Sequence, residues 1–206
     1  MPYEGFKLPS TLTKLIFSSD LPDSSGPALS MLPDSLRSLG LSMFFNSETE
    51  LTFATYAQML PRNLTHLAAG IAPQDTKPED LAHLPSSLLS LDLYVHKLGH
   101  SHFLAHLPPN LTSTSIGIGG ITPEIAAKIP GSVRTFGLGV PSDFNLLRLL
   151  PGHPTVMNFD NGVLPSPQVQ LPMMTSVASL SFKVTEENQD RIKWLLTHTP
   201  NADEIN

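Results

Sequence analysis

Four histidines crowd into one short segment, and imidazole both binds metal ions and titrates near neutral pH. They are His96, His100, His102 and His106. His102 and His106 are four residues apart, so on a helix they would share a face and could bind one metal ion. No carboxylate or thiol lies within this segment to complete the ligand set. We therefore predict solvated surface histidines and no metal site, with metal binding or a pH-sensitive surface as the alternatives.

Two other motifs carry chemistry in other proteins. A Gly-Ile-Gly-Gly run at 117–120 precedes a predicted helix start at Thr122, where backbone amides can bind phosphate. It lacks the lysine and the glycine spacing of a nucleotide site, so we interpret it as a tight turn. Asn-Leu-Thr at 63–65 and at 110–112 matches the glycosylation acceptor, but no secretion signal accompanies it. No nucleophile–base pair or carboxylate pair stands out, so we predict no catalytic residue, no cofactor and no enzyme.

One apolar template recurs along the chain: Leu/Ile-Pro-x-x-Leu/Val, followed three residues later by another core residue. Clear copies begin at Leu8, Leu32, Leu60, Leu84, Leu107 and Ile129, and weaker copies begin at Leu150 and Met173. Aligned on the fifth template position, successive copies are 21 to 28 residues apart. Such repetition predicts a solenoid, in which each unit buries its apolar face only against its neighbours.

The fourth copy shows how one unit is built. Alternation of period two around Leu91 and Leu93 places both on one face of a strand. A short helix precedes most Leu-Pro pairs, and capping-box or proline signals at 47–50, 76–79 and 122–124 mark its start. The proline then ends the helix, because it has no amide and disfavours helical geometry in the residue before it. Pro154, at the start of the seventh strand, favours an edge or irregular strand instead.

The core positions, as in Leu88, Leu91 and Leu93, follow an L-x-x-L-x-L pattern that resembles the leucine-rich repeat over about residues 8–184. The preceding Leu-Pro is similar to variants in bacterial effector proteins and slime-mould repeat proteins. The Asn or Cys that the family usually carries three residues after the last Leu is replaced by Asp20, Phe44, Ala72, His96, Gly119, Pro141, Gly162 and Thr185. The resemblance implies an α/β leucine-rich repeat solenoid of about eight repeats, with a parallel concave sheet and short helices on the convex side. The concave face is the surface that this family usually uses for binding.

The outward strand positions therefore form the candidate binding surface. Most are small and uncharged, which would let a partner's backbone or helix approach closely. We expect the specific contacts to come from Lys14, His66, Ser90, Asp92, Tyr94, Asn158, Asp160 and Lys183. Tyr94 is an aromatic residue of the kind that often anchors an interface. The alternative is that a face of serine and glycine is merely tolerated.

Composition argues against several classes of function. The net charge is −6, whereas binding to nucleic acid needs clustered Lys and Arg. No apolar run reaches the ~18 residues of a membrane helix, and the N-terminus lacks the apolar core of a secretion signal. We therefore expect neither a nucleic-acid partner nor membrane insertion. The chain has no cysteine, which favours a reducing, cytoplasmic location.

The repeats define one predicted domain over residues 1–206, with repeats at about 8–184 and a C-terminal capping helix at about 186–198. Only Tyr3 and Phe6 precede the first strand as a cover, so we predict either a monomer or an end-to-end dimer through the N-terminal repeat, unless the chain belongs to a longer protein. The sequence at 200–205 resembles the beginning of another unit. We predict a protein–protein interaction module with an unknown protein partner. The alternative is a substrate-recognition or effector fragment whose catalytic part lies elsewhere.

Overall fold

Short parallel strands, one from each unit, form a single sheet. The structure is a computed structural model that describes residues 8–17, 29, 31–41, 52–71, 77–95, 105–116, 124, 127–138, 154–159, 174, 177–182, 185 and 188–205. The strands in this part of the chain are β1 (Lys14–Phe17), β2 (Ser38–Leu41), β3 (His66–Ile71), β4 (Ser90–Val95), β5 (Ser113–Ile116), β6 (Thr135–Leu138), β7 (Val156–Phe159), β8 (Ser179–Phe182) and β9 (Glu204–Ile205). They lie side by side in chain order. The first eight fall at the template positions, which confirms the predicted solenoid.

A tight turn leads into every described strand except β7, and in the first six units the template proline supplies its carbonyl group. The carbonyl oxygen of Pro85 accepts a hydrogen bond of 3.1 Å from the amide of Leu88, and Pro33 does the same for Leu36 at 3.0 Å. Met174 takes the proline position of the eighth unit, and its carbonyl accepts from Val177 at 3.2 Å. The turn therefore depends on the carbonyl group and survives the replacement of proline.

A forked backbone hydrogen bond holds each unit to the one before it. The carbonyl oxygen of Thr13 accepts from the amides of both Arg37 (2.8 Å) and Ser38 (3.0 Å). The same arrangement recurs at every strand pair and ends at Ala178, whose carbonyl accepts from Asp203 (3.1 Å) and Glu204 (3.3 Å). Because every strand begins at the same forked bond, successive units stack in register without a shift.

Polar side chains add a second ladder between the units. The residue before the first core Leu bonds a backbone carbonyl of the preceding unit: Ser87 Oγ donates to Leu64 O at 2.7 Å, and Asn110 Nδ2 donates to Ser86 O at 3.0 Å. Thr112 Oγ1 donates to Leu89 O at 3.0 Å. These bonds replace the Asn ladder that the family usually has, and they explain the Asn-Leu-Thr runs as structural. The Ser or Asn that precedes the first core residue in six of the eight units was the sequence signal for them.

The core consists of columns of apolar side chains. Leu36, Leu64, Leu88, Leu111, Val133 and Val177 are all 0% exposed. The next column runs through Leu39, Leu67, Leu91, Phe136, Met157 and Leu180, each in register with its neighbours. Leu39, Leu67 and Leu91 stack directly on one another in this column. Thr114, a polar residue that is 1% exposed, interrupts this column on β5.

The connections carry short helices on the core side of the sheet. Helix α1 (Phe53–Met59) lies between β2 and β3, and it buries Phe53, Tyr56 and Ala57 in the same core as the strands. Its N-cap is Thr52, whose Oγ1 accepts from the amide of Thr55 at 3.3 Å. The predicted signal at 47–50 lies outside the described residues, and of 122–124 only Glu124 is described.

The cap predicted at 76–79 is wrong by one residue. A 3₁₀-helix, Pro78–His83, has Lys77 as its N-cap, and the carboxylate of Asp80 accepts from the Lys77 amide at 2.9 Å. Pro78 therefore holds the first helical position, and Asp80, not Glu79, bonds back to the cap.

The last helix, α2 (Gln189–His198), begins a few residues later than the sequence indicates. Asn188 Oδ1 accepts from the amide of Thr185 at 2.8 Å and closes a turn before the helix. Leu195 is 0% exposed, and Ile192 and Leu196 pack against the core beside it. The capping role of this helix stays a prediction, and β9 follows it and extends the sheet, in keeping with the repeat-like tail.

The seventh unit forms a regular strand although it begins at Pro154. In the other units, the amide at this position donates only to the turn, as Leu88 does to Pro85. Pro154 therefore lacks the hydrogen bond of the turn but leaves the pairing of the strand intact. The forked bond to Arg134 O comes from the amides of Thr155 (2.9 Å) and Val156 (3.3 Å). Strand β7 is paired on both sides, so the expected edge or irregular strand is wrong.

Candidate functional site

The face of the sheet opposite the core, here called the open face, has two columns of residue positions that follow the strand register. The first column is Lys14, Ser38, His66, Ser90, Ser113, Thr135, Val156, Ser179 and Glu204, and the second is Ile16, Gly40, Ala68, Asp92, Ser115, Gly137, Asn158 and Ser181. They alternate with the buried residues, as period-two strands require. Of the predicted contact residues, Lys14, His66, Ser90 and Asp92 lie at these outward positions.

The structure brings some of the predicted contact residues together and separates others. His66 on β3 is in register with Ser90 on β4, and Asp92 follows two residues later on β4. Tyr94 follows Asp92 by two residues on β4, in register with Gly70. Lys14 lies two strands from His66 and Asn158 three strands from Asp92, about 10 and 14 Å away at the usual strand spacing. Asp160 and Lys183 lie outside the described residues.

Hydrogen bonds assign the proton on the His66 ring. Thr65 Oγ1 lies 2.9 Å from the Arg37 carbonyl oxygen and 2.9 Å from His66 Nδ1. Because the hydroxyl has one proton and the carbonyl can only accept, the proton between Thr65 and His66 belongs to Nδ1. With this assignment, neutral His66 keeps the lone pair of Nε2 for a ligand. The exposed carboxylate of Asp92 on the adjacent strand adds a second acceptor.

Ile16 is the feature that the sequence interpretation undervalued. It is not among the contact residues expected from the sequence, yet its side chain is 63% exposed at an outward position of β1. Its column neighbours, Gly40 and Ala68, are too small to cover it. Lys14 lies on the same face two residues earlier. A β-branched apolar residue at an outward position was the signal in the sequence.

Strand packing explains part of the preference for small residues on this face. Gly137 on β6 is buried, and a Cβ atom added to it would lie 2.6 Å from the Cβ and 3.0 Å from the Cα of Ser115 on β5. Glycine is therefore required here by the approach of the neighbouring strand, whatever binds the open face.

We expect Gly137→Ala to lower the free energy of unfolding by about 1 kcal/mol or more, because the added methyl group forces β5 and β6 apart. Chemical denaturation followed by circular dichroism measures this. The matched control is Gly40→Ala in the same column, where the added Cβ meets Ile16 atoms no closer than 3.4 Å. That change should be neutral or stabilising by up to about 1 kcal/mol. Equal effects of the two substitutions would contradict the close approach of Ser115.

Most residues of the metal and phosphate sites considered from the sequence lie outside the described residues. His96, His100 and His102 lie outside them, as does the glycine run at 117–120, whereas His106 is half-buried before the fifth strand. No group of three or more histidines or carboxylates in the described part of the chain is placed to hold a metal ion. Neither α-helix described here has the length and hydropathy to cross a bilayer.

Comparison with known proteins gives similarity at the level of structure. No protein-family model and no curated protein matches the chain. Among solved structures it is similar to LegL7, a leucine-rich repeat-containing protein from Legionella pneumophila, with a TM-score of 0.59 and 19% identity over 96% of this chain and 74% of that chain. It is also similar to CroV588, a circular LRR protein, with a TM-score of 0.48 and 19% identity over 97% of this chain and 27% of that chain. At this level of identity, similarity concerns the fold alone.

Proposed function

We propose that this chain, which has the leucine-rich repeat fold, is a protein-interaction module that binds a partner protein through its open face. The observation that carries the proposal is the exposed Ile16, with Lys14 beside it and with His66 and Asp92 on β3 and β4. An apolar side chain that is 63% exposed on a regular strand gains free energy when a partner covers it.

The chemistry of the face defines the partner. Small side chains at Gly40, Ser38 and Ala68 leave room for a partner segment to lie across β1 to β3. An apolar partner residue would contact Ile16, and a carboxylate would pair with Lys14. Hydrogen-bond donors would meet Asp92 and the His66 Nε2 atom. The partner surface that fits best is therefore apolar at its centre, with one acidic group and several donors around it.

Binding should depend on Ile16 more than on exposed apolar residues elsewhere. We expect Ile16→Ser to weaken the partner's affinity at least about tenfold, because it removes the apolar contact at the centre of the surface. The partner is first isolated by affinity capture and purified, and its dissociation constant is then measured by calorimetry with wild type and variants.

The matched control is Leu89→Ser. Leu89 is 41% exposed and precedes β4 outside the two columns, so this change should leave affinity unaltered. Asp92→Asn and Tyr94→Ala test the region around β4 in the same assay. A partner whose affinity is indifferent to changes at Ile16, Asp92 and Tyr94 would remove the open face from consideration.

The absence of cysteine supports a reducing, cytoplasmic setting. A non-catalytic role follows from the absence of a recognisable catalytic motif in the sequence. The chain as a recognition or effector fragment of a larger protein remains the alternative, and the full-length coding sequence would distinguish the two.

A further inference from the structure

The two edges of the sheet expose complementary backbone groups. Within the described residues, β1 pairs only with β2, and β9 pairs only with β8. In every later unit, the two amides equivalent to those of Thr13 and Lys14 donate to one carbonyl oxygen of the preceding unit, which forms the forked bond. Strand β1 thus presents the donors of that bond at its outer edge.

The opposite edge presents the matching acceptor. Ala202 donates to Thr199 O at 3.0 Å, which reproduces the turn that leads into each strand. Asp203 and Glu204 then donate to the Ala178 carbonyl, as the equivalent residues do in the other units. Asp203 is therefore equivalent to Thr13 and Ala178. The carbonyl oxygen of each of those two residues accepts hydrogen bonds from two amides of the next unit.

Apolar side chains at both ends are less well covered than those in the middle. Leu8, Leu12 and Leu15 are partly buried, whereas their equivalents Leu84, Leu88 and Leu91 are 5%, 0% and 0% exposed. At the other end, the partly buried apolar residues that pack on the core are Ile192, Trp194, Leu196 and Ala202. Each end has the apolar surface that a unit normally covers with its neighbour.

Charge favours contact between these two ends. Lys14 begins the first column of the open face, and Glu204 ends it. A strand β1 added beyond β9 in continued register would place the two side by side, about 4.8 Å apart along the sheet. Opposite charges directly across a strand pair stabilise the pairing, and like charges oppose it.

We infer that β9 of one copy binds β1 of a second copy, so that the sheet and its columns continue from one molecule into the next. The Asp203 carbonyl accepts from Thr13 and Lys14 of the second copy, and Glu204 pairs with its Lys14. This contact joins two different surfaces, so each bound copy leaves another edge free. The product is a series of head-to-tail oligomers, which differs from the end-to-end dimer through the N-terminal repeat expected from the sequence.

Charge reversal tests the contact. Sedimentation velocity over a wide range of concentrations should show wild type forming dimers and then longer oligomers, less so at high salt. Lys14→Glu and Glu204→Lys should each weaken this self-association about fivefold to tenfold, because each places like charges together. An equimolar mixture of the two variants should associate as wild type does, because every contact in an alternating chain again pairs Lys with Glu.

The control for charge is Lys77→Glu, which reverses an exposed lysine in the middle of the array and should leave self-association unchanged. The backbone hydrogen bond between the Thr13 amide and the Asp203 carbonyl of the other copy is tested by comparing Thr13→Pro with Thr13→Ala. Proline removes the outward amide but keeps the carbonyl that accepts from Arg37 and Ser38, so only the proline variant should lose self-association. Its melting temperature at low concentration checks that the fold is intact.

Several results would overturn the inference. Wild type that stays monomeric throughout the concentration range would show that the edges do not bind each other. Oligomers that form equally well in Lys14→Glu, Glu204→Lys and their mixture would assign self-association to another surface. If Thr13→Pro unfolds, the mixture of charge variants still decides the matter.

Discussion

Leu91→Ala is expected to lower the free energy of unfolding by about 2–5 kcal/mol. The Leu91 side chain is 0% exposed and lies between Leu67 on β3 and Thr114 on β5. The forked hydrogen bonds hold the neighbouring strands in place, so they cannot close the cavity that alanine leaves. Urea denaturation followed by circular dichroism measures the loss.

The control lies two residues earlier. Leu89 is 41% exposed, and Leu89→Ala should change stability by no more than about 0.5 kcal/mol, as is usual for surface positions. If the loss at Leu91 were below about 1 kcal/mol, the strand register of the fourth unit would have to be revised.

Thr114→Val is expected to raise the free energy of unfolding by about 1–3 kcal/mol. Thr114 is 1% exposed and its Oγ1 atom has no hydrogen-bond partner within the described part of the chain. Its column neighbours, Leu91 and Phe136, are apolar. Valine keeps the branched shape and removes a buried hydroxyl that is dehydrated without compensation.

The same substitution at Thr112 should have the opposite sign. Thr112 Oγ1 donates to the Leu89 carbonyl at 3.0 Å, so Thr112→Val should cost about 0.5–1.5 kcal/mol. Thermal and urea unfolding of both variants gives the comparison. A loss of stability in Thr114→Val would show that its hydroxyl makes a bond that holds the fifth unit in place.

The candidate site was only partly accessible from the sequence. Period-two alternation placed His66, Ser90 and Asp92 on one face, because side-chain direction along a strand is local. Which of them meet depends on register between strands, and the forked bond decides it by starting every strand at the same point. The prominence of Ile16 also depends on other strands, since Gly40 and Ala68 leave it uncovered.

The sequence by itself determined the solenoid, the number of template units and the residues that face inward, because the repeat period and strand alternation are properties of nearby residues. It placed helix starts only approximately: Lys77 and Asp80 form the cap where Thr76 and Glu79 were expected. Only the tertiary structure decided that the Thr114 hydroxyl has no hydrogen-bond partner within the described part of the chain, that Gly137 must be glycine, and that the residues around Ala202 repeat the backbone of a unit without its leucines. Each of these depends on atoms that the chain brings together from more than 20 residues away, as Ser115 and Gly137 are, and a local pattern does not contain that distance.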